Sequence, residues 1–299
     1  MKNKRFKTYE EQIEILNSKG LITDNESLNI LKRNNYYFLI NRYKDLFIVP
    51  NIKPNIFKKG THFNEIVSVY NFERDLRMIL LKYIITIENT LKSVISHEFA
   101  KKYGHSYLDI NSYDTKNNDK TRLRDIKGLF NTIKRTIKKG IKENEYIKYY
   151  NSNYSEIPFW VVINDLSFGN IVGLYNVMYE ELKNNISNEF MMNGDEFYKS
   201  LRVLHFFRNL AAHNQRTFDS KANEKIEINE THKEFQLSET GLNDVMSVII
   251  ICKKILERKD FENFVLELKT ILKELDENIK TISIDIVYEK MGINKNSFN

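Results

Sequence analysis

The sequence predicts an all-α fold: a helical bundle with an N-terminal helical extension and room for one short β-hairpin. Two observations carry this. Apolar residues recur at three- and four-residue spacing over long stretches, the period of a helix with one buried face. Helix breakers are scarce, with three prolines and ten glycines in 299 residues, which suits long helices joined by short connections. At 41% hydrophobic residues, the chain has apolar material for one large core or two modest ones.

Residues 8–19 read as an amphipathic helix, with Ile13 and Leu16 inward and Gly20 as its stop. A second helix is expected over 25–37, followed by an aromatic-rich stretch from Tyr36 to Phe47. Pro50 and Pro54 end this unit, so residues 1–58 are expected to form the extension and 59–276 the main helical domain. That domain opens with a long helix over 63–103, whose apolar face includes Ile66, Tyr70, Leu76, Leu80, Ile84, Ile87, Leu91 and Ile95. Further helices are expected at about 120–149, 159–183 and 195–213. Period-two alternation through Lys225-Ile226-Glu227-Ile228-Asn229 and Lys233–Gln236 allows the hairpin. A closing helix is expected over 241–276, and residues 277–299 read as a charged, loose tail.

Several function classes find no foothold. The single cysteine, Cys252, excludes an intrachain disulfide framework and a cysteine-based zinc module. His62 either caps the long helix or is exposed, and His97, His105 and His232 are expected at the surface. No histidine pair has metal-ligand spacing, so neither a metal nor another cofactor is expected. Glycine loops for nucleotide phosphates and the Gly-x-Ser-x-Gly turn of serine hydrolases are missing. No apolar run approaches the roughly 18 residues of a membrane span, and Lys2-Asn3-Lys4-Arg5 lacks the apolar stretch of a signal peptide. The expectation is a cytoplasmic protein with no membrane partner.

The most informative stretch is Arg208-Asn209-Leu210-Ala211-Ala212-His213, at the end of an apolar run that begins at Leu201. It sets a guanidinium, an amide and an imidazole into a helix that reads as buried, where such groups need partners. At about 100° per residue, Asn209 and His213 share a face, and His205 and Arg216 extend that stripe in either direction. Arg208 and His213 diverge by roughly 140° on an ideal helix. Either the helix breaks near His213, or a second copy of it completes the site.

An Arg-x4-His pattern with Asn directly after the Arg resembles the signature of HEPN ribonucleases. Further residues, in order, narrow the resemblance to abortive-infection (Abi) proteins of the AbiD/AbiF type. They are Thr8-Tyr9-Glu10-Glu11-Gln12-Ile13 with Leu16 and Gly20; Asn35-Tyr36-Tyr37 with Asn41, Tyr43 and Phe47; and Gly60-Thr61-His62-Phe63. Tyr70, Phe72, Leu76-Arg77, Ile87-Glu88, Pro158-Phe159-Trp160 and Phe168-Gly169 continue the series to the Arg208 motif, so the resemblance spans about residues 7–216. After the Trp160 turn an acidic residue is expected, and this chain has Asn164-Asp165, so no role is carried onto either.

The resemblance implies a HEPN-like bundle and a metal-independent endoribonuclease acting as a phage-defence toxin. RNA would supply its own 2′-hydroxyl nucleophile, and His213 would move protons at that oxygen or at the leaving 5′-oxygen. Arg208 would stabilise the charged phosphate, and Asn209 would orient the histidine or the phosphate. Two motifs facing each other in a homodimer, as the resemblance implies, remove the angular problem. Similarity to the AbiF branch implies control by a structured non-coding RNA. On the apolar stripe of the long helix, Glu88 either orients Arg208 or Arg77, or makes an i,i+4 surface pair with Lys92.

Charge adds a second surface. The chain carries +6 overall, yet the window Lys116–Lys142 has ten Lys/Arg against two Asp, +8 by itself, with Tyr146, Tyr149, Tyr150 and Tyr154 directly after. Arg122, Arg124, Lys127, Lys134, Arg135, Lys138 and Lys139 are candidate phosphate contacts, and Tyr149 and Tyr150 candidate stacking partners for unpaired bases. Alone, such a run more often marks a solvated helix face. Two other readings stay open: a non-catalytic RNA-binding module in which the Arg-x4-His motif is structural, and a protein-interaction domain, against which the basic window argues.

Overall fold

In the computed structural model, which describes residues 5–237 and 240–294, all regular structure is helical. Two isolated β-bridges, Ile22 with His62 and Ile48 with Phe57, are the only extended pairings among these residues. Helix α1 (Tyr9–Ser18) starts where Thr8 Oγ1 accepts from the Glu11 amide at 3.2 Å while Glu11 accepts from the Thr8 amide at 2.9 Å. It stops one residue short of Gly20, which holds φ +87°. Helix α2 (Asn25–Arg33) is capped by Asp24, and a π-helical turn at Tyr37–Asn41 follows.

Helix α3 (Phe63–Tyr103) is the axis of the molecule at 41 residues, matching the expected span. Ile66, Leu76, Leu80, Ile84, Ile87, Leu91 and Ile95 are buried along it. Against it lie α12 (Arg258–Asn278) and α9 (Gly194–Ala212). Tyr83 meets Phe264 of α12 at 5.0 Å between ring centres. Between these come α4 (Lys120–Glu143), α5 (Glu145–Asn153), α6 (Phe159–Val162), α7 (Phe168–Asn176) and α8 (Glu180–Asn188). Helices α10 (Glu230–Glu234), α11 (Val245–Ile255) and α13 (Ile284–Met291) complete the set.

Long expected helices are interrupted, in several places by a side chain that caps the backbone. Asn144 ends α4 and starts α5, its Oδ1 accepting from the Tyr146 amide at 2.9 Å. Ser167 does the same for α7, and the span expected over 241–276 breaks at Leu256–Glu257. The expected hairpin is replaced by a helix: Asn229 accepts from the Thr231 amide at 3.0 Å and turns the chain into α10. His232, expected at the surface, is fully buried there, with Nε2 3.3 Å from the Gly241 carbonyl.

The expected loose tail also proves ordered through Asn294, with Val287 and Met291 of α13 buried. Glu65, in the first turn of α3, holds it. One carboxylate oxygen accepts from the amides of Lys280 (2.6 Å) and Thr281 (2.8 Å) and from the Thr281 hydroxyl (2.9 Å). Burial alone raises the Glu65 pKa, but these bonds and the His62 amide outweigh it and leave the carboxyl below its usual range. A depressed folded pKa stabilises above the unfolded value and is lost as pH falls through the folded one. Acidification below about pH 4 is therefore expected to free 279–294 first. Hydrogen exchange should show Glu65→Ala releasing the same segment at neutral pH, and unchanged protection would refute this anchor.

Candidate active site

The site is built on the last two turns of α9. His205 and Asn209 lie one turn apart, with Asn209 Nδ2 3.0 Å from His205 Nε2. If the amide donates, Nε2 accepts and the imidazole proton sits on Nδ1. Burial pushes the His205 pKa down, the Arg208 and Arg202 charges push it further, and Glu88 opposes them. The ring is thus held neutral at physiological pH. Helix α7 leaves space for it through a missing side chain: a Cβ on Gly169 would sit 2.9 Å from His205 Nε2. A groove of about 550 Å³ opens beside this pair, lined also by Tyr198, Arg202, Phe206 and Gln215.

The helix ends at Ala212 and His213 is its C-cap, with φ −100° and its amide bonded to the Asn209 carbonyl. Its side chain is exposed, and among the described residues the imidazole makes no hydrogen bond or ion pair. Asn214 follows in the left-handed region at φ +52°, and Arg42 Nη1 clasps its carbonyl at 2.7 Å. Of the two expectations for the Arg208–His213 divergence, the helix does break at His213. Arg208 is partly buried and pairs with no acid among the described residues, and its Nε is buried without a hydrogen-bond partner. Asn209 is engaged with His205, not with His213.

The other supporting residues act as fasteners. Glu88 pairs with Lys92 at 2.8 Å, and both side chains are buried, so the i,i+4 pairing holds but not at the surface. Lys92 also donates to the Asn164 carbonyl at 3.1 Å, tying the Trp160 turn to α3. Arg77 lies 3.3 Å from Glu73, and Glu73 accepts from the amides of Thr217 (2.6 Å) and Phe218 (3.3 Å). Burial pushes the Glu73 carboxyl up to about 7, against the pull of Arg77 and the two amides. Arg216 is not on the α9 stripe. It reaches Asp45 (2.7 Å), Asp219 (2.9 Å) and the Arg42 carbonyl, binding the N-terminal unit to the exit of α9. These bonds fix the turn that carries His213. Glu73 and Arg42 escaped the sequence reading, and Gly169 entered it only through the family resemblance, with no role at the site. Glu73 alone had a legible signal, a carboxylate one turn before Arg77 in an apolar stripe.

The basic window divides. Arg122 is buried and donates to the Asn176 carbonyl at 2.5 Å, which removes it from any phosphate surface. Arg124, Lys127, Lys134, Arg135, Lys138 and Lys139 are exposed along α4. Tyr149 and Tyr150 pack edge-on at 5.5 Å, and Tyr154 joins them; Tyr149 is exposed and Tyr150 partly buried. Helix α4 packs on α7 and α7 on α9, so this basic face is one helix removed from the Arg208 helix.

Among the described residues no helix is long and apolar enough to cross a membrane, and no group of three or more His, Cys, Asp or Glu could hold a metal ion. The model of a family described as "Abi-like protein" matches residues 29–219, well over half of the chain and inclusive of α3, α9 and the His213 turn. No curated protein and no solved structure matches.

Proposed function

The chain belongs to the Abi-like protein family, whose description points to abortive infection and so to phage defence, and from that premise we propose that it is a metal-independent endoribonuclease toxin. Arg208 carries this reading. A half-buried guanidinium with no acidic partner among the described residues keeps an uncompensated charge that suits an anion, and a phosphodiester is the anion RNA brings. Five residues on, His213 stands exposed at the helix end. A purely structural motif would give both side chains partners, and neither has one among the described residues.

The chemistry follows from these groups. The ribose 2′-oxygen attacks phosphorus and the bond to the 5′-oxygen breaks, leaving a 2′,3′-cyclic phosphate and a 5′-hydroxyl. One imidazole takes the 2′-hydroxyl proton and another protonates the 5′-oxygen. Arg208 stabilises the pentacoordinate phosphate. At the motif one copy supplies one exposed imidazole, so two copies related by a two-fold axis complete the pair. Asn209 and the neutral His205 line the groove alongside and position RNA rather than transfer protons. The test is cleavage of single-stranded RNA as the protein is diluted. Per-chain activity should fall as pairs dissociate. A light-scattering monomer with full per-chain activity would remove the paired site, and no cleavage by nucleic-acid-free protein at any concentration would remove the enzyme.

The exposed face of α4 is proposed to hold RNA, including a regulatory non-coding RNA, through Arg124, Lys127, Lys134, Arg135, Lys138 and Lys139. Changing Arg135, Lys138 and Lys139 together to Glu should weaken binding across sequences. It should also flatten the log–log salt dependence by roughly 0.7–0.9 per lost contact. Unchanged affinity and slope would leave α4 a solvated helix face.

A further inference from the structure

We propose that the N-terminal unit holds a second RNA site, a groove that binds unpaired nucleotides by stacking and needs no cleavage activity. The groove, about 590 Å³, lies between α1 and the segment that follows α2, and this volume is in the range of ligand clefts. Asn35-Tyr36-Tyr37, a motif the α9 site does not use, forms one wall. Tyr37 is 65% exposed and Tyr9, across the groove on α1, is 43% exposed. Large rings left open in this way are usual where a planar partner docks. Tyr36, partly buried against the core, supports them.

Charge and hydrogen bonding narrow the partner. Lys32 and Arg33 line the same groove; Lys32 lies only 4.0 Å from Glu10, and Arg33 makes no ion pair among the described residues. Arg33 is available to phosphates, and Lys32 is shared with Glu10 at the groove's edge. Gln12 donates its amide to the Lys7 carbonyl at 3.0 Å, while its Oε1 is buried without a hydrogen-bond partner. Aromatic faces and cations in one groove form a stacking platform for single strands. A duplex, with its bases already stacked, offers no free ring to insert.

The test uses the full-length chain carrying His213→Ala, so that the probe survives and the outcome does not depend on cleavage. Binding of a labelled oligouridine of roughly 12 nucleotides, within the length range of single-strand sites, is followed by anisotropy across a salt series. Tyr37→Ala should weaken it by about tenfold or more, and Tyr37→Phe should restore it, since the ring and not the hydroxyl stacks. Arg33→Glu should reduce affinity and flatten the salt dependence by roughly 0.7. Ultraviolet crosslinking should place uridine on Tyr9, Tyr36 or Tyr37. Unchanged binding by Tyr37→Ala overturns the site, as does an equal loss for duplex RNA, which would reduce the groove to charge alone. Tyr37-dependent binding of an acidic peptide, with none of the oligouridine, would make it a protein-docking groove and overturn the proposal equally.

Discussion

Replacing His213 by Ala is expected to lower RNA cleavage by about 10²–10⁴-fold, the usual loss when a positioned proton-transfer group is removed. Arg208→Ala should lose about 10²–10³-fold, as when a preorganised donor to a developing charge is deleted. On the proposed mechanism the two side chains serve one transition state, so the double variant should be little worse than the poorer single one. Growth arrest in cells should disappear with each. Neither change should unfold the protein: the His213 imidazole is exposed and without a partner among the described residues, and Arg208 leaves a buried N–H unpaired. Unfolding free energies from urea titration should therefore match the parent within about 0.5 kcal/mol. Loss of activity together with a destabilisation above about 2 kcal/mol would mark the motif as structural.

Glu73→Ala is expected to do the reverse, destabilising the protein without touching Arg208 or His213. It strands Arg77 in the core with no countercharge and leaves the Thr217 and Phe218 amides without their acceptor. Breaking a buried pair from one side costs about 3–5 kcal/mol. A domain typically has only about 5–15 kcal/mol in hand. Denaturant titration should show this loss, and the Thr217–Phe218 loop should exchange its amides fastest. A change below about 1 kcal/mol would show that solvent or a rearranged loop satisfies these groups, and that Glu73 does not hold the turn carrying His213.

The legible parts of the fold were those written as uninterrupted periodicity. Helix α3 spans the residues its apolar stripe specifies, and α1 and α9 fall within a residue or two of their expected limits. What escaped is the work of single side chains. Asn144 and Ser167 each turn a continuing helical pattern into a new helix, and Asn229 turns an alternating one into α10, by accepting a backbone N–H; nothing in the period announces which polar residue will do so. The ordered C-terminal segment depends on Glu65, some 215 residues away in sequence, a contact no local pattern encodes. At the site, the His205–Asn209 stripe was readable from spacing, whereas Arg216 left it because the helix ends first and Asp45 and Asp219 draw the guanidinium aside. Arg122 likewise looked like its neighbours in sequence, and only the packing of α4 against α7 turns it inward. The unpaired state of Arg208 is purely three-dimensional, since it depends on which carboxylates fail to reach it.

The most direct test of metal-free RNA cleavage by the α9 motif is the chemistry of the cut ends. Parent and His213→Ala proteins, freed of bound nucleic acid, are incubated with end-labelled RNA in excess EDTA, and the fragments are read by mass. The parent should give 2′,3′-cyclic phosphate and 5′-hydroxyl termini at an undiminished rate, and His213→Ala should leave the RNA intact. Cleavage that EDTA abolishes, or that His213→Ala retains with 3′-hydroxyl and 5′-phosphate ends, would contradict the account.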